Sequence, residues 1–222
     1  MARGGPYKAD TDIPDELLKT YLRSDVVAID SELHGLRLVR DQVCLVQISD
    51  RERNVCLVRP NAPAAPKNLK KLLEHPGTIK LFHYALTDVA FLRQSLAVRV
   101  FPFHCTKVMS KLVRTYASSH SLKELVFELI GVEMDKHPQQ TNWSQPELTQ
   151  KQLEYAANDV LHLIPAYDTL NKMLAARGAL PSGITAVELN ESCQAFLPTL
   201  VELILNGYGD KDQGWQTSLF NH

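Results

Sequence analysis

Two acidic residues, Asp30 and Glu32, follow four apolar residues, Val26 to Ile29. The run from Val26 to Asp30 is typical of a buried strand. Alternate residues of an extended chain point to the same face, so we expect the two carboxylates to lie together. Carboxylates at such short range repel each other unless a cation lies between them, and hard divalent ions prefer oxygen ligands. For an isolated pair, a helix cap and a solvated loop residue are the simpler interpretation, so the metal-site hypothesis needs further acids.

Two later segments supply acids on predicted helices. Asp88 lies at the start of a helix that follows a strand-like run, Ile79 to Phe82. If that strand runs beside the first one, Asp88 reaches the same edge of the sheet as Asp30, although an acid in the first turn of a helix is also ordinary dipole chemistry. Tyr155 and Asp159 are four residues apart and therefore share one face of a predicted helix. A surface acid beside a core-flanking tyrosine is the alternative interpretation of this pair.

Composition places the chain among ordinary globular proteins. Its 222 residues fit one large domain or one domain with extensions, and 45% hydrophobic residues are ample for a sizeable core. A formal net charge of -1 argues against broad non-specific binding to long nucleic acid, which depends on neutralising many phosphates. The four cysteines are widely separated and are predicted to be buried, reduced thiols. Without an apolar run of membrane-spanning length or a secretory signal, we expect a cytoplasmic location and no membrane partner.

The hydrophobic pattern predicts an α/β domain with a mixed sheet. A short helix is expected over Pro14 to Arg23, and the antiparallel hairpins would be formed by Val26 to Asp30, Gln42 to Ser49 and Asn54 to Arg59, whose links are short and polar. Further strands are predicted over Ile79 to Phe82 and, at an edge because of Pro102, over Val100 to Phe103. Helices are expected over Lys67 to Glu74, from just after His83, over Thr106 to Thr115, over Leu122 to Ile130, and over Gln150 to Ala176 with a kink at Pro165.

The two ends of the chain differ from this domain in composition. Residues 1–12 are polar and contain two glycines and a proline, which predicts a flexible arm, and residues 13–178 form the predicted domain. Residues 179–222 are predicted to be a helical C-terminal extension. Its last turn carries Trp215, Leu219 and Phe220, and apolar residues on a tail indicate docking on the same domain or on a neighbouring subunit.

Taken together, the acids resemble a known active-site pattern. Their order, spacing and predicted local structure are similar to those of the DEDDy group of 3′-5′ exonucleases, and the similarity extends from about Val26 to Tyr167. The residues that carry it are Asp30, Glu32, Asp88, Tyr155 and Asp159. The related DEDDh group would need a histidine in place of Tyr155, and none occurs between His137 and His162. The resemblance implies a ribonuclease H-like fold.

Within that group the chain looks most like the small RNase D-like oligoribonucleases of bacteria, the nanoRNase C type. The similarity lies in Arg40 to Ser49, Cys105 to Tyr116 and Gln194 to Pro198. The family pattern has threonines around the first glutamate, where this chain has Ser31 and Leu33.

The resemblance also implies roles for the acids. Two Mg²⁺ or Mn²⁺ ions per active site would be held by the four carboxylates, because oxygen ligands select these ions rather than zinc. Asp30 would bridge both ions, Glu32 and Asp159 would complete the site of the water-activating ion, and Asp88 would support the second ion through water. Tyr155 would orient the attacking water, since a tyrosine whose ordinary pKa is about 10 is a poor base.

Five residues are candidates for binding substrate. Leu36 corresponds to the position where short-oligonucleotide exonucleases place a leucine between the last two bases, with core packing as the alternative. His83 could reach a nucleotide, although a lone histidine after a strand is more often structural. Lys107, Lys111 and Arg114 share one face of a predicted helix and are candidates for phosphate contacts, with a solvated helix face as the alternative.

Three functions follow from the resemblance. The first is a 3′-5′ exoribonuclease acting on very short single-stranded RNA, dinucleotides included. The second is broader RNase D-like trimming of RNA ends or degradation of DNA, and the third is a non-catalytic RNA-binding module. The resemblance further suggests a ring-like homo-oligomer, with the tail from Phe196 to Phe220 as a candidate contact.

Overall fold

The fold is an α/β domain built on a mixed sheet. The computed structural model describes residues 7–60, 65–134 and 141–208. In these ranges the strands are β1 (Ala9–Asp10), β2 (Val26–Leu33), β3 (Val43–Ser49), β4 (Val55–Val58), β5 (Ile79–Phe82) and β6 (Phe103–Cys105). The helices are α1 (Asp15–Tyr21), α2 (Lys67–Leu73), α3 (Ala85–Leu96), α4 (Thr106–Val113), α5 (Leu122–Ile130), α6 (Gln150–Leu161), α7 (Leu163–Arg177) and α8 (Ala186–Leu203).

The strand order is β1-β4-β3-β2-β5-β6, with β2 near the centre. The pairs β2–β3 and β3–β4 are antiparallel, which confirms the predicted hairpins, whereas β5 lies parallel to β2 and β6 parallel to β5. β2 continues to Leu33, three residues beyond the predicted end, because Glu32 pairs with Leu45 of β3. The two acids therefore lie within a strand rather than at its end. β6 occupies the predicted edge but begins after Pro102, which has no N–H to donate to the ladder.

Both faces of the sheet are covered. Successive residues of β2 point to opposite faces, so Val27 and Ile29 pack with α1, α2, α3 and part of α8, while Val26 and Ala28 pack with α4, α5 and α7. α6 lies over the same face as Ala28 and contacts β2, β3 and β4. The predicted ribonuclease H-like class, a mixed sheet flanked by helices, is confirmed.

One long helix was predicted over Gln150 to Ala176, but the chain forms two. α6 ends at Leu161 and α7 begins at Leu163, with His162 between them at φ -106° and ψ -6°. The break lies just before Pro165 because a proline ring clashes with the carbonyl four residues earlier, here that of Leu161, and cannot donate a hydrogen bond to it. The prediction placed the interruption a few residues too late.

The N-terminal segment is bound to the domain from residue 7 onward, which corrects the prediction of a flexible arm for residues 7–12. β1 lies parallel to β4. The carboxylate of Asp12 accepts hydrogen bonds from the backbone N–H groups of Asn68 and Leu69, each at 2.9 Å. Asp12 thus caps α2, whose preceding residue, Pro66, has no side chain that could do so. Residues 1–6 lie outside the described residues.

The C-terminal helix α8 is part of the core. Leu197 and Val201 belong to the same buried cluster as β2 and α3, so the helical prediction for this segment is confirmed as far as Leu203. The tail residues Trp215, Leu219 and Phe220 lie outside the described residues. All four cysteines are free, but Cys193 on α8 is partly exposed, which corrects the prediction that every thiol is buried. None of the helices in the described ranges combines the length and apolarity needed to cross a membrane.

Candidate active site

Three carboxylates converge between the sheet and α6. Carboxylate oxygens of Asp30, Glu32 and Asp159 all lie within 4.8 Å of one another. β2 presents the first two on one face, and α6 places the third above them. This close approach is possible because the α6 residues at the contact, Ala156 and Ala157, are small and fully buried. The convergence expected from the sequence is present.

The electrostatics of this cluster favour a bound cation. Burial raises the pKa of Asp30 to about 7, and burial together with the negative charges of Asp30 and Asp159 raises the pKa of Glu32 to about 10. The pKa of Asp159 is also well above its usual range, first because it is buried and then because Asp30 is close. These carboxylates therefore ionise together only when positive charge compensates them. An all-oxygen donor set suits Mg²⁺ or Mn²⁺, so the residues fit the predicted metal ions.

Asp88 reaches the site from the opposite face of the sheet. β5 pairs with β2 only over Val26 to Ala28, so the edge of β2 is open beyond that point and α3 can bring Asp88 against it. The Ser31 hydroxyl donates a 2.6 Å hydrogen bond to the Asp88 carboxylate. Burial, followed by the charge of Asp30, raises the pKa of Asp88. Asp88 is thus next to the cluster without belonging to the group of three, and Ser31 is a site residue whose role the sequence did not indicate.

Tyr155 lies half-buried beside the cluster. Its pKa is raised by burial first and then by the negative charges of Asp159 and Glu32, so the phenol keeps its proton at neutral pH and acts as a hydrogen-bond donor. The Trp143 ring packs against it at a centroid distance of 6.3 Å and an interplanar angle of 37°. Trp143 was not predicted as a site residue. A tryptophan in an otherwise polar predicted loop was the available signal.

The loop after β2 exposes Leu36. Leu36 is 81% exposed, which excludes core packing as its role. The preceding Gly35 is required for space, because a Cβ there would lie 2.2 Å from the Asp41 carboxylate. That carboxylate accepts a 2.9 Å hydrogen bond from the Arg37 backbone and binds the Arg40 guanidinium, which lowers the pKa of Asp41 to about 2. The buried Asp41 carboxylate, paired with the exposed Arg40 guanidinium, therefore fixes the loop that presents Leu36.

Both ring nitrogens of His83 form hydrogen bonds within the protein, which corrects the prediction that His83 could contact a nucleotide. Its Nε2 faces the carbonyl of His120 at 3.0 Å and must carry the proton, so its Nδ1 accepts from the Thr106 hydroxyl at 2.9 Å. Burial lowers the pKa of His83 to about 4, in agreement with a neutral ring. Both nitrogens are therefore occupied.

Only part of the predicted basic stripe on α4 faces solvent. Arg114 is 1% exposed, and its guanidinium binds the Glu128 carboxylate and the Ser110 hydroxyl, so its predicted role in phosphate binding is wrong. Lys111 is exposed, and Lys107 is partly exposed. Helical spacing placed all three on one face but could not distinguish a buried arginine paired with a carboxylate from a cation that is free to bind phosphate.

Tyr84 is a further residue that the sequence did not single out. It is 50% exposed and adopts a left-handed conformation, φ 71° and ψ 46°, directly before α3. Such a conformation costs a non-glycine residue about 1–3 kcal/mol and is concentrated at functional sites. Lys107 Nζ lies 4.2 Å from the centre of the Tyr84 ring, a cation–π contact that fixes the ring near the first turn of α3, where Asp88 lies.

Comparisons with known proteins agree with this geometry. Residues 8–175 match the family model described as 3′-5′ exonuclease. Ribonuclease D of Haemophilus influenzae is 31% identical over 153 residues, which are 69% of this chain and 38% of that protein. Ribonuclease D of Granulibacter bethesdensis is 31% identical over 74% of this chain and 41% of its own length, so the chain spans less than half the length of these curated relatives.

Solved structures include one of similar length. Brucella melitensis NrnC superimposes with a TM-score of 0.82 at 37% identity, covering 91% of this chain and 94% of that one. The same protein has been solved bound to pGG and with bound Mg²⁺. Escherichia coli RNase D superimposes with a TM-score of 0.71 at 26% identity, covering 86% of this chain and 50% of that one.

Proposed function

Because this chain belongs to the 3′-5′ exonuclease family, in its RNase D-like branch, we propose that it is a metal-dependent exoribonuclease that hydrolyses short RNA oligonucleotides, dinucleotides included, to mononucleotides. The observation that carries this proposal is the group of three carboxylates on β2 and α6 with a fourth beside it on α3. Acids with strongly raised pKa values are concentrated at functional sites, and divalent cations held by these carboxylates would compensate their charge and attract an anionic phosphodiester.

Asp30, Glu32, Asp88 and Asp159 are the residues that would hold two Mg²⁺ or Mn²⁺ ions. When bound, such ions supply a water of lowered pKa and neutralise the charge that develops on the phosphate and leaving oxygens. Asp30, which lies near Asp88 as well as near Glu32 and Asp159, would be the ligand that both ions share. Ser31 holds the Asp88 carboxylate in position through its hydroxyl.

Tyr155 orients the attacking water in this proposal. A phenol whose pKa is raised by nearby carboxylates cannot act as a general base at neutral pH, so the residue contributes a fixed O–H donor. Packing of the Trp143 ring against Tyr155 restricts the direction in which that donor points.

The surface around the site suits a short substrate. Leu36 is exposed at the tip of a fixed loop and could insert between two bases, and the half-exposed ring of Tyr84 offers a stacking surface beside Lys107. With Arg114 used inside the fold, Lys107 and Lys111 are the remaining cations of the predicted stripe. Two lysines can neutralise only a few phosphates, which favours a short substrate. The structure of NrnC bound to pGG, a relative of similar length, supports a dinucleotide as substrate.

A broader activity is the second candidate. The ribonuclease D relatives favour trimming of longer RNA 3′ ends, and DNA could use the same carboxylates. A non-catalytic RNA-binding module is the weakest candidate because all four acids and Tyr155 are in place. The division into an exonuclease domain (13–178) and a C-terminal extension (179–222), a ring-like homo-oligomer and a cytoplasmic location remain predictions.

A length series of labelled RNAs tests the proposal. Purified protein with Mn²⁺ is incubated with RNAs from two to about twenty nucleotides and with matched DNAs, and products are resolved over time. We expect mononucleotides, fastest from the dinucleotide, and loss of activity with a chelator or in Asp159→Asn. Equal rates at all lengths would favour the broader activity. Absence of hydrolysis in the parent protein, or full activity in Asp159→Asn, would refute the proposal.

A further inference from the structure

Gln47 is a fully buried glutamine whose side chain has no hydrogen-bond partner among the residues that the structure describes. It lies on β3 with 0% of its surface exposed, and neither its Nε2 nor its Oε1 is bonded to any other group in the described parts of the chain. Leaving a buried polar atom unbonded costs about 1–3 kcal/mol, so two such atoms are a substantial penalty. An unbonded buried amide in a native fold requires an explanation, and a role at a functional site is one of the explanations that apply.

Other buried glutamines of the described structure show what a structural role looks like. Gln194 on α8 accepts a 2.7 Å hydrogen bond from the Cys105 backbone and donates to the Cys105 carbonyl and to Asn190. Gln152 completes the cap of α6 through Thr149. Both side chains stabilise the fold through their amides, whereas the Gln47 amide makes no hydrogen bond within residues 7–60, 65–134 and 141–208.

The strand register identifies the partner. Gln47 lies directly opposite Asp30 on β2 and opposite Leu57 on β4. Directly opposed residues share one face of a sheet with Cβ atoms about 4.5–5.5 Å apart, which a glutamine side chain can span. Leu57 offers no polar atom, so of the two cross-strand neighbours only Asp30 can bond to the amide. Leu45, two residues away on the same face, is apolar and packs with Ala156 of α6.

We propose that Gln47 is a positioning residue for the metal site: its amide N–H donates to the Asp30 carboxylate when cations are bound and fixes the orientation of that shared ligand. This inference rests on the proposed function of the carboxylate cluster. A ligating carboxylate offers up to four lone-pair directions, and a donor on its far side limits which of them face the ions. Gln47 itself is fully buried on β3, which α6 contacts, so water cannot readily replace the amide.

The proposal predicts two effects of opposite sign in Gln47→Met, which keeps the shape of the side chain and removes the amide. In chelator, the melting temperature should rise by about 2–5 °C, because two unbonded polar atoms disappear from the core. In Mn²⁺, the affinity read from the metal-dependent shift of the melting temperature should fall about 10- to 100-fold, as is usual when a ligand loses its supporting hydrogen bond.

Gln194→Met is the matched control. It removes a buried amide that already has partners, so it should lower the melting temperature in chelator and leave the Mn²⁺ affinity unchanged. Gln47→Asn, which retains a shorter amide, should bind Mn²⁺ more tightly than Gln47→Met. An Mn²⁺ affinity for Gln47→Met equal to that of the parent, or a fall in its melting temperature in chelator, would overturn the inference. Failure of the parent protein itself to bind Mn²⁺ would instead refute the proposed function.

Discussion

Replacing Glu32 by glutamine should stabilise the metal-free protein while abolishing its response to metal. Two unit charges 4.8 Å apart, the separation within which the three carboxylates lie, repel by about 3.5 kcal/mol at an effective dielectric constant of about 20. The folded protein avoids part of this repulsion by keeping protons on the cluster. Because of these protons the expected gain is smaller than the full repulsion. Near pH 9 we expect Glu32→Gln to raise the free energy of unfolding by about 2 kcal/mol, which corresponds to about 4–8 °C in melting temperature.

The gain should depend on pH in a defined direction. The pKa of Glu32 is raised from 4.5 to about 10 in the folded protein, so between these values the folded state holds a proton that the unfolded state releases. Stability of the parent therefore falls as pH rises through this window, and below pH 4.5 the penalty is absent. Glutamine does not titrate, so the advantage of Glu32→Gln should be small at pH 5 and should grow towards pH 9.

Calorimetry in chelator and in Mn²⁺ measures both parts of this prediction. Mn²⁺ at 100 times its dissociation constant should stabilise the parent by about 2.7 kcal/mol and should leave Glu32→Gln almost unchanged. Glu154→Gln, on the exposed side of α6, is the matched control and should match the parent in both conditions. A lower melting temperature of Glu32→Gln in chelator at pH 9, or a gain of equal size at every pH, would show that the cluster is not under electrostatic stress.

Three further substitutions separate catalytic, substrate and structural roles. Tyr155→Phe should lower kcat about 10- to 100-fold at an unchanged Mn²⁺-induced shift in melting temperature, and loss of both would indicate a structural role instead. Tyr84→Ala should raise KM for a dinucleotide about tenfold or more, because base stacking on an aromatic ring is typically worth about 1–3 kcal/mol. Tyr116→Ala, at another exposed tyrosine, is the control and should leave KM unchanged. Arg114→Ala should lower the free energy of unfolding, measured in urea, by about 1–3 kcal/mol, because Glu128, which is partly exposed, loses its ion-pair partner. KM should stay unchanged. A large rise in KM would instead indicate that Arg114 binds phosphate.

Much of the fold was predictable because it depends on local chemistry. Apolar runs predicted the strands, and the helix starts also depend on local chemistry: the Ser121 side chain accepts from the Glu124 backbone, and Thr149 with Gln152 forms a capping box. Errors arose where distant segments decide. β2 is longer than predicted because β3 pairs with it, and residues 9–10 are ordered because β4 accepts them as a neighbouring strand. Neither partner is visible in the local pattern.

The candidate site likewise combines features that the sequence determined with features that only the tertiary structure decided. The sequence by itself determined the types and the order of Asp30, Glu32, Asp88, Tyr155 and Asp159, since strand and helix periodicities fix which residues share a face. Only the tertiary structure decided that Asp88 stands on the opposite face and is held by Ser31, that Arg114 is buried against Glu128, and that Gln47 lies unbonded across from Asp30. The physical reason is that desolvation and hydrogen bonding depend on which groups meet in space, and elements far apart in the chain supply those groups.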